Sequence, residues 1–149
     1  MSGVNELYQE ILLDHYRHPR NFGPLEGADR EIEGHNPLCG DQIDVYLKLK
    51  DGMVEDVSFC GKGCAICTSS ASMMTMALKG RSVEEAHALF ESFHHALTED
   101  GPCPDDVPLG KLEVLKGVRD YPVRVKCATL AWHTFEAALR RFQGEISTE

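Results

Sequence analysis

Apolar and polar positions alternate most regularly over "QIDVYLKLK", residues 42–50. Ile43, Val45, Leu47 and Leu49 fall on one side, and Asp44, Lys48 and Lys50 on the other. That period of two predicts a strand with one buried face. Asp51-Gly52 follows, a pair that tolerates the positive φ a two-residue hairpin turn demands. "MVEDVSF" is then the returning strand, ended by "GKG", and residues 31–34 are a candidate short strand. Elsewhere the spacing is helical. Leu7, Ile11 and Leu12 share a face over Asn5–Tyr16, and Pro19 and Gly23 punctuate its end. A second helix is expected to begin between Cys64 and Thr68 and to run through "SSASMMTMAL" to Gly80. A third covers Ser82–Leu97, opened by the capping box of Ser82 and Glu85. "TEDGPCPDDVPLG" reads as a loop and "KLEVLKGV" as one or two short helical turns. From Val125 to Phe142 a last helix places Cys127, Leu130, Ala131, Thr134, Ala138 and Phe142 on one stripe.

The order is one helix, a small antiparallel sheet, then several helices, so the expected class is α+β. A length of 149 residues, with no repeat or linker, suits one domain over residues 1–149. The formal net charge of -9 argues against nucleic acid, because phosphate contacts need a basic face. It equally disfavours anionic membrane surfaces, and no apolar run approaches the length of a membrane span. The N-terminal stretch lacks a charged segment followed by an apolar core, so it does not read as a secretory signal. A cytoplasmic location is the expectation. Disulfides are disfavoured there, which turns the six cysteines toward metal binding, catalysis or burial.

Cys39 and Asp41 stand two apart at the start of the alternating strand. Extended residues two apart point the same way, so a thiolate and a carboxylate can converge. Cys64 follows Gly63 at the mouth of a helix, where free N–H groups and the positive helix end favour a thiolate. Cys127 lies on an apolar stripe with Arg124 and Lys126 close by in sequence, and reads equally as core or as ligand. Three thiolates and one carboxylate suit tetrahedral zinc, and soft thiolates also suit an iron–sulfur cluster. Spacing alone does not bring the three together. Cys60, Cys64 and Cys67 have the C-x3-C-x2-C spacing of radical enzymes, but this chain is too short for the barrel they use. Cys64 and Cys67 also form a C-x2-C pair outside the βαβ context of thioredoxin-like proteins. Cys67 falls almost one turn beyond Cys64, while Cys103 sits in the polar loop. His35 lies near Cys39 and reads as a loop residue.

Four blocks carry a further signal: "LYQEILLDHYRHPRNFG", "GHNPLCGDQIDVYLKL", "CGKGCAICTSSASMM" and "LKGVRDYPVRVKCATLAWHTFEAAL". Together they resemble the U-type iron–sulfur cluster assembly proteins: IscU, SufU and the N-terminal domain of NifU. The resemblance implies a three-stranded antiparallel sheet with helices packed on it. It implies a site of Cys39, Asp41, Cys64 and Cys127. Lys126 stands where the IscU branch has His, "RDYPVRVK" replaces the chaperone-recognised segment of that branch, and there is an extra stretch at about 95–115. These departures resemble the SufU branch. That branch implies zinc at the site and sulfur received from a cysteine desulfurase, with Cys39 as acceptor and Cys127 as runner-up. The alternative implied by the wider family is a scaffold that assembles a [2Fe–2S] or [4Fe–4S] cluster and passes it to apo iron–sulfur proteins. Either role is accessory to other proteins rather than that of a stand-alone enzyme.

Overall fold

The structure, a computed structural model, describes residues 2–36, 40–98 and 108–142. Helix α1 (Ser2–Arg17) precedes three strands, β1 (Arg30–Asn36), β2 (Asp41–Lys50) and β3 (Met53–Lys62). Helices α2 (Ala65–Leu78) and α3 (Val83–Thr98) follow. A 3-10 helix (Gly110–Val118) then leads into α4 (Pro122–Phe142). The sheet is antiparallel in the order β1-β2-β3, and the α+β arrangement expected from the sequence is the one observed.

The alternation of β2 sets the inner face. Ile43, Val45, Leu47 and Leu49 are all buried, and across β3 they are joined by Val57 and Phe59. Asp51 (φ 54) and Gly52 (φ 77) both take the left-handed conformation, as the two-residue hairpin requires. Helix α4 lies over β1 and β2, and α2 packs between α4, α1 and β3. Trp132 of α4 stacks on Phe93 of α3 with ring centroids 4.4 Å apart, and Phe135 and Leu115 are buried in the same core.

The "SSAS" run of α2 is buried despite its polarity, and each hydroxyl explains itself by a partner. Ser69 donates to the Leu12 carbonyl at 2.6 Å. Ser70 donates to the Ala128 carbonyl and accepts from the Trp132 indole at 3.1 Å. Ser72 bonds His15 Nδ1 at 2.7 Å and accepts from the Arg20 amide. Small hydroxyls thus let α1 and α4 approach α2 closely. On the outer side of β3 the segment Asn21–Gly23 is hydrogen-bonded to the strand: Phe59 N donates to Asn21 O, and Gly23 N to Phe59 O.

Several boundaries differ from the sequence reading. β3 continues through Cys60 and Gly61 to Lys62, because Gly61 and Lys62 still pair with Ile43 and Gln42. β1 runs on to Asn36, so His35 is a strand residue rather than a loop residue. α4 starts at Pro122, whose missing N–H costs nothing at a first helical position. The capping box holds: Glu85 N donates to Ser82 Oγ and Ser82 N to Glu85 Oε1, both at 3.0 Å. Of the stretch at about 95–115, residues 95–98 belong to α3, 108–109 lead into the 3-10 helix that holds 110–115, and 99–107 lie outside the described residues.

Candidate metal centre

One end of the sheet meets the mouths of two helices. There Gly40 N donates to Asn36 O at 2.8 Å, and Gly40 takes a φ of 73. Asn36 and Asp41 are therefore cross-strand partners at the end of the ladder, and both are buried. Asp41 turns toward α2, where its Oδ1 accepts the Cys64 amide at 3.1 Å. Cys64 is the N-cap of α2, with extended backbone (φ -68, ψ 173) and its Sγ accepting the Cys67 N–H at 3.4 Å. A sulfur in this cap position takes the place of the usual oxygen and faces the positive helix end. Cys127 arrives from the second turn of α4 and is 3% exposed.

The ligand atoms of Asp41, Cys64 and Cys127 all lie within 4.8 Å of one another. Cys64 Sγ is 3.9 Å from Asp41 Oδ2. Donors bound to tetrahedral zinc at its usual bond lengths stand roughly 3.3–3.8 Å apart, so this set fits zinc with little movement. Asp41 and Cys127 are buried and Cys64 is exposed, so the cluster opens to solvent on the α2 side. Cys39, the other expected ligand, lies outside the described residues, as does Cys103.

Asn36 is the residue that sequence reasoning missed. Its Nδ2 donates toward Cys127 Sγ at 3.8 Å. The available signal was positional: an Asn-Pro pair closing a strand, opposite the carboxylate. Gly63 is explained by crowding. A Cβ there would stand 3.0 Å from both Cβ and Sγ of Cys67 and 3.4 Å from Asp41 Oδ1.

The remaining cysteines separate. Cys60 points to the opposite face of the sheet, 3.5 Å from Tyr46 Oη and 4.0 Å from Asp44 Oδ2. The hydrogen bond between Tyr46 and Cys60, with burial second, pushes the Tyr46 hydroxyl well above its ordinary pKa. Cys67 is fully buried in the core. Arg124 lies over the Tyr121 ring at 5.6 Å, and His35 pairs with Glu33 at 3.0 Å.

Residues 7–128 match the NifU-like N terminal domain. The chain belongs to that family. This NifU-like chain is 38% identical over 143 residues to a Bacillus subtilis protein named zinc-dependent sulfurtransferase SufU, covering 96% of both chains. It is 40% identical over 141 residues to an iron–sulfur cluster assembly scaffold protein IscU of Streptococcus pyogenes, covering 95% of this chain and 87% of that one. Among solved structures, a SUF-system assembly scaffold protein of Fervidobacterium islandicum superimposes with a TM-score of 0.78 at 29% identity, covering 91% of this chain and 98% of the other. No helix among the described residues is long and apolar enough to cross a membrane.

Proposed function

We propose that this NifU-like chain serves iron–sulfur cluster biosynthesis as a zinc-binding sulfur acceptor, taking persulfide sulfur from a cysteine desulfurase. The observation that carries this reading is the convergence of two thiols and one carboxylate at the sheet end. The likeness to the zinc-dependent sulfurtransferase over nearly the whole chain supports it. Cys39, Asp41, Cys64 and Cys127 would hold the ion, which keeps its thiol ligands deprotonated at neutral pH while muting their nucleophilicity.

The acceptor is Cys39, two residues before Asp41 in the chain. Its thiolate attacks the outer sulfur of the desulfurase persulfide. The persulfide S–S bond breaks, a new S–S bond forms on Cys39, and the electron pair leaves with the desulfurase thiolate. The outer sulfur keeps its proton, so no external oxidant or reductant enters. Asp41 is the weakest and hardest donor. Its hydrogen bond from the Cys64 amide keeps the carboxylate aimed at the site. Cys127 is the second candidate acceptor, and its buried position behind Asn36 argues for a holding role instead. Apo iron–sulfur proteins or other assembly factors are the downstream partners.

A scaffold role rests on the same donors, because thiolates bind iron–sulfur clusters as readily as zinc. Lys126 before Cys127, where the scaffold branch carries His, favours the carrier. The deciding measurement is desulfurase turnover with and without this protein, alongside its zinc content. Stimulation that requires zinc and disappears in Cys39→Ser supports the carrier. Absence of stimulation, together with transfer of a reconstituted cluster to an apo-acceptor, rules it out in favour of the scaffold.

A further inference from the structure

Cys67 has no place in the donor set, yet it stands directly behind it. Its own amide donates to Cys64 Sγ at 3.4 Å, which draws that sulfur over the residue. Its side chain shares the open side of Gly63 with Asp41 Oδ1, where a Cβ would lie 3.0 Å from Cys67 Sγ. Cys64 is the N-cap and Cys67 falls three residues later, so their Cα atoms stand about 5 Å apart on helical geometry. A disulfide spans Cα separations of roughly 4.4–6.8 Å. Cys64 is exposed and Cys67 fully buried, so an oxidant in solution reaches the first and not the second.

We propose that Cys64 and Cys67 form an oxidisable pair built into the metal centre, which a peroxide closes to an intrahelical disulfide. The Cys64 thiolate attacks one peroxide oxygen and becomes a sulfenic acid, releasing hydroxide. Cys67 sulfur then displaces the second hydroxide from Cys64, forming the S–S bond. Two thiols lose two electrons, and the peroxide is reduced to two waters. Cys64 thereby leaves the donor set, and the ion loses one thiolate until a thiol reductant reopens the bond. Cys127 competes for Cys64, since its sulfur lies within 4.8 Å. It is held from another helix by Asn36, whereas Cys67 shares the turn with Cys64. The regulatory consequence rests on the reading of Cys64 as a zinc ligand; the disulfide itself does not.

Trypsin provides the test, because the chain cleaves after Lys62, Lys79 and Lys126. Residues 63–79 then carry Cys64 and Cys67 together, while Cys60, Cys39 and Cys127 fall in other peptides. Metal-free full-length protein is treated with hydrogen peroxide, alkylated with iodoacetamide, digested without reductant and weighed. The expected product is peptide 63–79 unalkylated and lighter by two hydrogen atoms, restored by dithiothreitol. A cross-link from Cys64 to Cys127 or Cys39, or Cys64 driven to sulfinic acid, overturns the proposal. In Cys67→Ala, peroxide is expected to over-oxidise Cys64, so that reductant and zinc no longer restore the metal content they restore in the wild type. Full recovery in that variant also overturns it. Neither readout involves a desulfurase, so a failure to stimulate that enzyme leaves this result standing and sinks only the acceptor reading.

Discussion

Gly34 sits under α4 at the strand that carries Asn36, and replacing it with alanine tests how the centre is assembled. A methyl at Gly34 would overlap the Thr134 hydroxyl and lie 3.3 Å from both Leu130 Cδ1 and Thr134 Cβ. Thr134 Oγ1 is not free to turn away, because it donates to the Leu130 carbonyl at 2.8 Å. The overlap is relieved only if that bond breaks or α4 lifts from β1 by on the order of 1 Å. Overpacking of this kind costs about 1–3 kcal/mol. For a chain of this size that lowers Tm by roughly 2–12 °C. Cys127 lies on the same face of α4 as Thr134, two turns earlier, so the same lift moves its sulfur away from Asp41 and Cys64. Urea unfolding of metal-free protein and zinc competition with a chelator should both report weakening. Removing the obstructing hydroxyl should reverse it. Gly34→Ala combined with Thr134→Ala is expected to recover about 1 kcal/mol or more relative to the sum of the single changes. The reasoning is refuted if Gly34→Ala unfolds at the wild-type urea concentration, or if the two substitutions are additive.

Three other outcomes follow from the site and its surroundings. Asp41→Ala removes the weak oxygen donor and should leave a longer-lived metal or cluster; release to a chelator at the wild-type rate would show that Asp41 does not gate exchange. Asn36→Ala deletes the N–H directed at Cys127, and a lost hydrogen bond to a charged acceptor, about 1.5 kcal/mol at this length, should weaken zinc binding roughly tenfold. Unchanged affinity in the chelator competition would remove Asn36 from the site. Finally, burial, and then the Arg20 charge, holds the His15 pKa below its usual value, and burial together with His94 does the same for His133. Both histidines therefore bind protons more readily in the unfolded chain than in the folded one. Their contribution is present above the ordinary histidine pKa near 6.5 and is lost as pH falls through it toward the folded value. Urea midpoints at pH 7.5 and 5.5 should differ in that direction, and a midpoint that rises on acidification contradicts it.

Much of the architecture could be read from local pattern. β2 alternates at every position but Tyr46, Asp51-Gly52 permits one turn type, and Ser82 with Glu85 marks a helix start, so these elements needed no tertiary information. What escaped was set by contacts distant in sequence. The serines of α2 look like a solvent face, and only the carbonyls of Leu12 and Ala128 and the Trp132 indole make them interior. Glycines weaken a strand interior locally, yet pairing to β2 carries β3 on through Gly61 to Lys62. Within the site, the chemistry of Asp41, Cys64 and Cys127 was legible in residue type and junction position. Their meeting is implied only by the family resemblance and not by spacing, since it depends on how α4 crosses the sheet. Asn36 escaped for the same reason: its partner is 91 residues away.

The segment Asn21–Gly23 along β3 bears on behaviour at high concentration. An unpaired outer strand invites a second chain to add its own backbone, the first step toward aggregation. Here the N–H and C=O of Phe59 are already taken, and the Phe22 ring rests edge-on against the Phe59 ring at 5.2 Å. At the opposite border, β1 exposes Glu31 and Glu33, whose charges repel a like strand. Both borders of the sheet are thereby guarded, leaving its end, where Asp41 and the two cysteines gather, free to meet a partner without recruiting another copy of the chain through its strands.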